Sequence, residues 1–539
     1  MLAIGYIEAL KPELILLVAA VLALIVGVFG RGRASGLVFL VAAVGIVAST
    51  YVTWMACGTY CGAEAPDLTG IKLGSMVTYT RLITLGIGAL LLLICWHLPG
   101  AADRGEFFGM VLFSMTGAML TGLADDLVVL IIALELVSMP TYILVATGRQ
   151  DVRAQEAGVK YFFLGAMASA IMAYGFSFLY GLAGTTAISE PHAGQSASIA
   201  QAMVGHSGDF VLVLGLALAV FGLAFKVAAV PLHFYAADVY EGAAAPVTGL
   251  LGFMPKLAGF VALAKLLGVA GDHMPEVVFW LVWGLAAATM IIGNVLALMQ
   301  SNVKRILAYS SVAHSGYMLV AVLVGPVVAA QSPISDGVGA MMFYIAVYGA
   351  MNLGAFAIIG LLQARGGEGE RLDDLAGLSR AHPIIALCMA ICAFSLMGMP
   401  PTAGFIGKVY IFGSALSLEA ADPHKVSMIV LAVLGVLTSA IGAAYYLRII
   451  GACYLREPVI EVGTVRCGLL KLGVGLAAVI VMVAGVLPGR LASGAREAAA
   501  DVLPPPPKVA APKRPAKPRP KRQRPTPPRP PQRSTRPSR

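Results

Sequence analysis

The sequence predicts an all-α polytopic membrane protein of about 14 transmembrane helices, two of them broken. Three features support this prediction: the composition, the number of long apolar segments, and prolines inside two of those segments. Of the 539 residues, 59% are hydrophobic and only 12% are charged. A soluble globular domain carries about 25% charged residues and about 45–50% apolar residues. With so little polar surface available to face water, most of this chain must have lipid as its solvent.

Fourteen apolar segments are long enough to cross a bilayer, which requires about 20 residues in a helix. They are residues 12–30, 36–56, 76–97, 105–123, 126–147, 157–182, 209–235, 245–268, 276–299, 303–325, 336–363, 382–415, 424–453 and 468–488.

Two of these segments contain prolines that should break their helices. Pro231 lies in segment 209–235, and Pro400 and Pro401 lie in segment 382–415. Proline removes a backbone donor and clashes with the preceding turn. Such breaks are tolerated only where protein or water satisfies the freed backbone groups. Lys226 precedes one break and Lys408 follows the other, which suggests two halves of inverted topology, an arrangement that places transporter sites at paired discontinuities.

The distribution of basic residues predicts the orientation of the chain. One alternating set of loops carries twelve Lys or Arg residues, whereas the opposite set carries two and one more just inside a segment. Because basic loops stay in the cytoplasm, the first loop should be cytoplasmic and both termini should lie outside. The twelve are Arg31, Arg33, Arg104, Arg149, Arg153, Lys304, Arg305, Arg365, Arg371, Arg380, Arg456 and Arg466; the opposing residues are Lys72, Lys425 and Arg81.

The C-terminal segment has a different composition from the rest of the chain. Residues 501–539 hold twelve Lys or Arg and one Asp, so the remainder of a chain with net charge +9 carries −2. A Pro-rich basic segment of this kind cannot bury a core. We therefore predict a transmembrane domain over 1–490 and a disordered tail over 491–539. A nucleic-acid-binding protein is not expected, because it would carry a basic face on a folded domain.

Four ionisable residues lie deep in apolar segments: Glu135, Lys226, Lys256 and Lys408. A charge at the bilayer centre costs about 2.5–3.5 kcal/mol even on insertion scales, so such residues face the protein interior and have partners. Burial favours the neutral amine of a lysine, and a nearby carboxylate favours the ammonium. These residues therefore predict a proton path. The alternative for Glu135 is a structural carboxylate that ties two helices together.

Two histidines complete the candidate path. His233 follows the first break, and His314 lies in KRILAYSSVAHSGYMLV among hydroxyl side chains. Histidine can relay protons near neutral pH, although a lone buried histidine can equally be a hydrogen-bonded core residue. Lys265 lies near a helix end, where a lysine can extend to the interface.

No motif for a metal, nucleotide or redox group is present in the sequence. The seven cysteines show no paired Cys/His clusters of the kind that bind zinc. No phosphate-binding glycine loop, nucleophile elbow or iron–sulfur cysteine set occurs. We predict no cofactor in this chain, so any reaction that drives transport should take place on another subunit.

Five motifs resemble one membrane family, the antiporter-like subunit N of bacterial NADH–quinone oxidoreductase, respiratory complex I. The motifs are LELVSMPTYILVA, EAGVKYFFLGAMASAIMAYGFSFLYGLAGTT, FKVAAVPLHFYAADVYEGAAAPV, KRILAYSSVAHSGYMLVA and GMPPTAGFIGKVYIF. The resemblance implies two inverted five-helix repeats, a Glu135–Lys226 pair, Lys256 as the central lysine and Lys408 as the exit-side lysine. Pro255 departs from the family, which usually has a small residue there, and this predicts a kink next to Lys256.

The same resemblance implies the biological setting of the chain. It implies a proton-translocating subunit in the bacterial inner membrane that acts as part of an enzyme complex with other membrane subunits. NADH, FMN, iron–sulfur clusters and quinone would then bind to those partner subunits. Two alternatives remain open: a stand-alone or Mrp-type cation/proton antiporter, and a structural scaffold without an ion path.

Overall fold

The structure of the chain is a computed structural model that describes most of the apolar segments. The described residues are 2–30, 35–60, 68–96, 104–149, 151–191, 197–206, 208–326, 333–363, 369–457 and 468–502. Within these ranges the chain forms α-helices and three short 3-10 turns, with no β-strand. The all-α prediction is therefore confirmed.

The helices are numbered here in chain order. They are α1 Leu2–Ala9, α2 Lys11–Gly30, α3 Ser35–Tyr60, α4 Ser75–Cys95, α5 Arg104–Leu123, α6 Leu127–Thr147, α7 Val152–Ala183, α8 Ile199–His206, α9 Phe210–Lys226, α10 Ala236–Gly242, α11 Ala245–Leu251, α12 Met254–Gly268, α13 Glu276–Leu298, α14 Val303–Val324, α15 Gly337–Gln363, α16 Leu378–Ala381, α17 Pro383–Met397, α18 Ala403–Leu416, α19 Lys425–Leu455, α20 Gly468–Val486 and α21 Gly489–Ala500.

Twelve spans are long and apolar enough to cross a membrane in the described ranges, together with three shorter apolar helices. The shorter helices are α9, α17 and α18, and they occupy the two segments predicted to be broken. In the first of these segments, α9 ends at Lys226 and α10 begins at Ala236. In the second, α17 ends at Met397 and α18 begins at Ala403. Both breaks are thus confirmed, and each contains the prolines that cannot continue a helix.

The helices differ in how much of their surface is covered. In α14, in α15 and in the span formed by α11 and α12, 94% of the most apolar 18-residue stretch is buried. In α2, α7 and α19 the buried share of that stretch is 33%. A helix that is apolar all round and fully covered lies in the centre of a bundle. The peripheral helices expose large apolar side chains, as expected for surfaces that contact lipid or other membrane subunits. The central helices α12 and α14 carry Lys256 and His314 of the candidate site.

The C-terminal helix α21 packs on α4 and α15 and so extends the folded domain past the predicted boundary at residue 490. The Asp501 carboxylate accepts a hydrogen bond from the Met76 backbone N–H at 2.8 Å, at the start of α4. The Lys72 ammonium donates to the Asp501 carbonyl at 3.2 Å. Burial raises the pKa of the Asp501 carboxyl, and these groups oppose that effect. Residues 503–539 lie outside the described ranges, and a disordered tail there stays a prediction.

Three of the basic loop residues lie close to acidic partners at one end of the bundle, here called the basic end: Arg149, Lys304 and Arg305. The Glu370 carboxylate forms ion pairs with the Lys304 ammonium at 2.8 Å and with the Arg149 guanidinium at 2.7 Å. Burial alone would raise the pKa of the Glu370 carboxyl, but the two cations hold it below its ordinary value. Arg31, Arg33, Arg365 and Arg466 lie outside the described residues. The predicted placement of both termini on the outer side stays a prediction.

Candidate functional site

The first element of the site is an ion pair between α6 and the last residue of α9. The Lys226 ammonium donates to the Glu135 carboxylate at 3.0 Å, to Ser138 at 2.7 Å and to Ser169 on α7 at 3.0 Å. The Lys226 side chain is 3% exposed and the Glu135 side chain 23% exposed. The helix break directly after Lys226 places the ammonium against these three oxygens. Glu135 therefore has the opposite-charge partner that its depth requires.

The second element is Lys256, in the first turn of α12. The kink predicted at Pro255 appears as a helix boundary, since α11 ends at Leu251 and Pro255 lies in the first turn of α12. Proline is well tolerated there because the first turn has no partner for its N–H. Lys256 donates to the Ser311 carbonyl and to the Ser315 hydroxyl, the latter at 2.8 Å.

Helix α12 also connects the first two lysines. Gly259 lies one turn after Lys256, and a Cβ added there would lie 3.2 Å from the Cβ of Lys226. The absence of a side chain at this position lets α12 approach the end of α9. Helix α12 therefore carries Lys256 and packs against the base of the Lys226 side chain.

The third element is His314, in the middle of α14 and 1% exposed. Its Nδ1 lies 2.5 Å from the Tyr344 hydroxyl and its Nε2 lies 2.9 Å from the Tyr446 hydroxyl. Both ring nitrogens therefore have a hydroxyl partner that can donate or accept. The ring lies 5.5 Å from that of Tyr317, centroid to centroid. Three helices therefore meet at this imidazole: α14, which carries it, and α15 and α19, which carry the two tyrosines.

The fourth element is Lys408, on α18 after the second break. Its ammonium donates to the carbonyls of Leu396 at 3.1 Å and Met397 at 2.8 Å, which are the last residues of α17. It also donates to Ser439 at 2.7 Å and lies 5.2 Å from the centre of the Tyr317 ring. The break leaves carbonyls without helical partners, and the lysine supplies the donors that they need.

His233 is not brought into contact with these elements. It lies in the first break, where its ring is 6.5 Å from that of Tyr309 and its Nδ1 has no hydrogen-bond partner. Within the described chain, it makes no hydrogen bond to the other five predicted residues. The other five are connected through shared neighbours. Gly259 of α12 packs against Lys226, and Lys256 of the same helix bonds to Ser311 and Ser315 of α14. Tyr317 of α14 contacts both His314 and Lys408.

The sequence interpretation missed the neutral oxygens that solvate these charges. Pairs of polar residues in otherwise apolar helices were the available signal, such as Tyr344 and Tyr348 four residues apart on one face of α15. The missed residues are Ser138, Ser169, Ser315, Tyr344, Tyr446 and Ser439. In the part of the chain that the structure describes, no group of three or more His, Cys, Asp or Glu side chains could hold a metal ion.

Comparison with known proteins gives a consistent result. Residues 124–442 match the family described as NADH:quinone oxidoreductase/Mrp antiporter, TM. The chain is 37% identical over 454 residues to NADH-quinone oxidoreductase subunit N of Trichlorobacter lovleyi, covering 84% of this chain and 88% of that protein. It is 36% identical over 500 residues to subunit N of Rhodospirillum rubrum, covering 90% of this chain and 96% of that protein.

Solved structures share the fold. A chain of respiratory complex I from Thermus thermophilus is 27% identical with a TM-score of 0.70, covering 89% of this chain and 98% of that chain. A chain of the Mrp complex from Dietzia has a TM-score of 0.73 at 22% identity, covering 92% of this chain and 97% of that chain. The second likeness shows the fold alone.

Proposed function

The chain belongs to the subunit N family of NADH-quinone oxidoreductase, and we propose that Glu135, Lys226, Lys256, His314 and Lys408 form its proton path. The chain is a proton-translocating membrane subunit of this complex. NADH oxidation and quinone reduction, with FMN and iron–sulfur clusters, are assigned to partner subunits. The membrane is the bacterial inner membrane, with the basic end in the cytoplasm according to the distribution of Lys and Arg.

The observation that carries this proposal is the solvation of the three lysines. Lys226 has one carboxylate and two hydroxyls, whereas the hydrogen bonds that Lys256 and Lys408 make to described residues go to carbonyls and hydroxyls. A buried amine surrounded by neutral oxygens can exist both with and without its proton, because each form keeps hydrogen-bond partners. A lysine locked to several carboxylates would stay charged. This arrangement supports reversible protonation at each position.

The order of transfer follows the line of contacts. Lys226 takes up a proton while Glu135 lies beside it, and movement of the carboxylate away from the ammonium releases that proton toward Lys256. His314 then accepts and donates through its two hydroxyl partners. Lys408 is the releasing group, because it is the last ionisable residue on the line. His233 borders the first break, where its Nδ1 can hold water, and is a side branch of this path.

The Mrp-type antiporter alternative has less support, since relatives named subunit N match over most of the chain at higher identity than the Mrp chain. A scaffold without an ion path does not explain why three lysines are buried inside the bundle. The purified chain in liposomes should show no sodium- or potassium-dependent proton exchange. Such exchange would favour the antiporter.

The decisive experiment replaces the central lysine in the assembled complex. Lys256→Met keeps the side-chain length and removes the charge, and Lys471→Met, on the exposed face of α20, is the matched control. Proton pumping should be measured in vesicles with NADH and quinone, and assembly should be measured by electron transfer from NADH to a soluble acceptor. We expect Lys256→Met to assemble and to pump at least about tenfold more slowly, since one transfer step is lost. Wild-type pumping by this variant would contradict the proposed path.

A further inference from the structure

A cleft at the basic end lies between α7 and α10. Its volume is about 200 Å³, and it is lined by Arg153, Glu156, Lys160, Asp238 and Glu241. Lys160 bridges the two helices, with its ammonium 2.7 Å from Glu156 and 3.3 Å from Asp238. The cleft is therefore polar and open to water. None of these residues belongs to the path proposed above.

One face of α7 leads from this cleft to the Glu135–Lys226 pair. Ala157 lines the cleft, and Ser169 hydrogen-bonds to Lys226. Between them, at intervals of four residues, lie Tyr161 and Gly165. Residues spaced by four share one face of a helix, and twelve residues span about 18 Å. Each step of four residues turns about 40° around the helix, so these positions wind along its covered side from the cleft to the buried pair.

Tyrosine side chains fill the space along this face. The Tyr161 ring stacks on Tyr235 at 5.2 Å and contacts Tyr142 of α6 edge-on at 4.6 Å. The Tyr235 hydroxyl donates to the Phe225 carbonyl at 3.0 Å. The Tyr142 hydroxyl, by contrast, is buried and has no hydrogen-bond partner. Since a buried polar group without a partner is costly, this hydroxyl requires an explanation.

Gly165 shows that the position of the Tyr142 hydroxyl is specific. The hydroxyl lies against the α7 backbone at this glycine, and a Cβ there would overlap it. Ser138, which accepts from Lys226 at 2.7 Å, lies one turn before Tyr142 on α6. The Tyr142 hydroxyl therefore lies between the stacked rings of Tyr161 and Tyr235 and the Glu135–Lys226 pair.

We propose that Tyr142 is a hydroxyl relay through which protons pass from the α7–α10 cleft to Ser138 and Lys226. The Tyr142 oxygen accepts a proton from water that enters from the cleft and releases its own proton toward Ser138, directly or through one water. The Ser138 O–H donates to the Leu134 carbonyl at 2.8 Å in this structure. It turns from that carbonyl to the neutral amine of Lys226 and passes its proton there, and both hydroxyls are restored. Each hydroxyl forms one O–H bond and breaks one, so the net change is one proton moved from the water to the lysine. The hydroxide left at the cleft takes up a proton from bulk water. The inference rests on the proposed function, because Lys226 is the acceptor.

Two substitutions test the relay separately from the packing of the ring. Tyr142→Phe keeps the ring, and with it the contact to Tyr161, but removes the hydroxyl. Gly165→Ala keeps the hydroxyl but displaces it. The matched controls are Tyr174→Phe and Gly181→Ala, both on exposed positions of α7, the latter with no atom within 4 Å of an added Cβ.

In the assembled complex, both test variants should lower quinone-linked proton pumping by about tenfold, the effect of losing one hydrogen-bonded step. Electron transfer from NADH to a soluble acceptor should stay normal, and both controls should pump like the wild type. Normal pumping by Tyr142→Phe overturns the relay, even if Gly165→Ala is impaired, because ring packing would then be sufficient. If Gly165→Ala does not assemble, Tyr142→Phe alone decides.

A parallel Lys226→Met variant separates this inference from the proposed function. Loss of pumping in Lys226→Met together with normal pumping in Tyr142→Phe would overturn the relay and leave the lysine path intact. Normal pumping in Lys226→Met would overturn the path itself, and the relay with it.

Discussion

The pair of Glu135 and Lys226 gives the sharpest quantitative prediction. Glu135→Gln removes the charge that favours the ammonium but keeps a hydrogen-bonding amide, and Lys226→Met removes the amine. Breaking a buried pair by removing one partner costs about 3–5 kcal/mol, because the other charge is left uncompensated. The Lys226 side chain is 3% exposed and the Glu135 side chain 23% exposed. An uncompensated charge is therefore more costly on Lys226 than on Glu135. In Glu135→Gln we therefore expect Lys226 to lose its proton and to stop carrying one.

Both single variants should impair quinone-linked pumping in vesicles, and the double variant should lose less than the product of the two single effects. Groups in direct contact couple by about 0.5–3 kcal/mol, and a coupling of about 2 kcal/mol corresponds to about thirtyfold in rate. The rates should be measured in assembled complexes at equal content of the soluble-acceptor activity. Effects that multiply within about twofold would refute direct pairing in the working enzyme, whatever the 3.0 Å distance between the two groups.

Two further predictions concern the ends of the path and of the chain. Lys408→Arg keeps a charge but holds its proton far above neutral pH, so it should assemble normally and pump as poorly as Lys408→Met; a wild-type ratio of protons to electrons in the arginine variant would make Lys408 a fixed countercharge. Truncation after residue 504 should leave assembly and turnover nearly unchanged. Truncation after residue 495 removes Asp501 and the end of α21, and it should lower the thermal stability of the complex. The lost helix cap costs about 1 kcal/mol, and the lost buried apolar contacts add to that cost. Equal stability of the two truncations would show that the packing of α21 is not needed.

Most of the fold could be predicted from the sequence because the bilayer imposes strong rules. Segment length and hydropathy identified the long spans, and prolines located both breaks to within a few residues of the ends of α9 and α17. The boundary at residue 490 was placed too early because α21 is short, alanine-rich and only weakly apolar. Its stability comes from contacts with α4 and α15 and from the Asp501 cap on a helix start 425 residues away. No local pattern shows such a contact.

The candidate site was predictable only in its charged members. A lysine or glutamate inside an apolar segment stands out because its cost is high, whereas a serine or tyrosine there is common. The hydroxyls of Ser138 and Ser169 become meaningful only when three helices bring them to Lys226. The same applies to His233, which the sequence grouped with His314 and which the fold places beside Tyr309 instead.

The different surroundings of the lysines bear on how the path can work as a sequence of steps. Lys226 has a carboxylate partner, but within the described residues neither Lys256 nor Lys408 contacts one. Like charges repel, and the repulsion is stronger in the low dielectric of a protein interior than in water. A proton on one of these two lysines therefore makes a proton on the other less favourable, and His314 lies between them with hydroxyls on both ring nitrogens. Protonation of Lys226 from the basic end would thus help to release a proton from Lys408 only if Lys256 is protonated as an intermediate step. Because Lys256 links the two ends of the path in this way, Lys256→Met should impair pumping even though Glu135, Lys226 and Lys408 are unchanged.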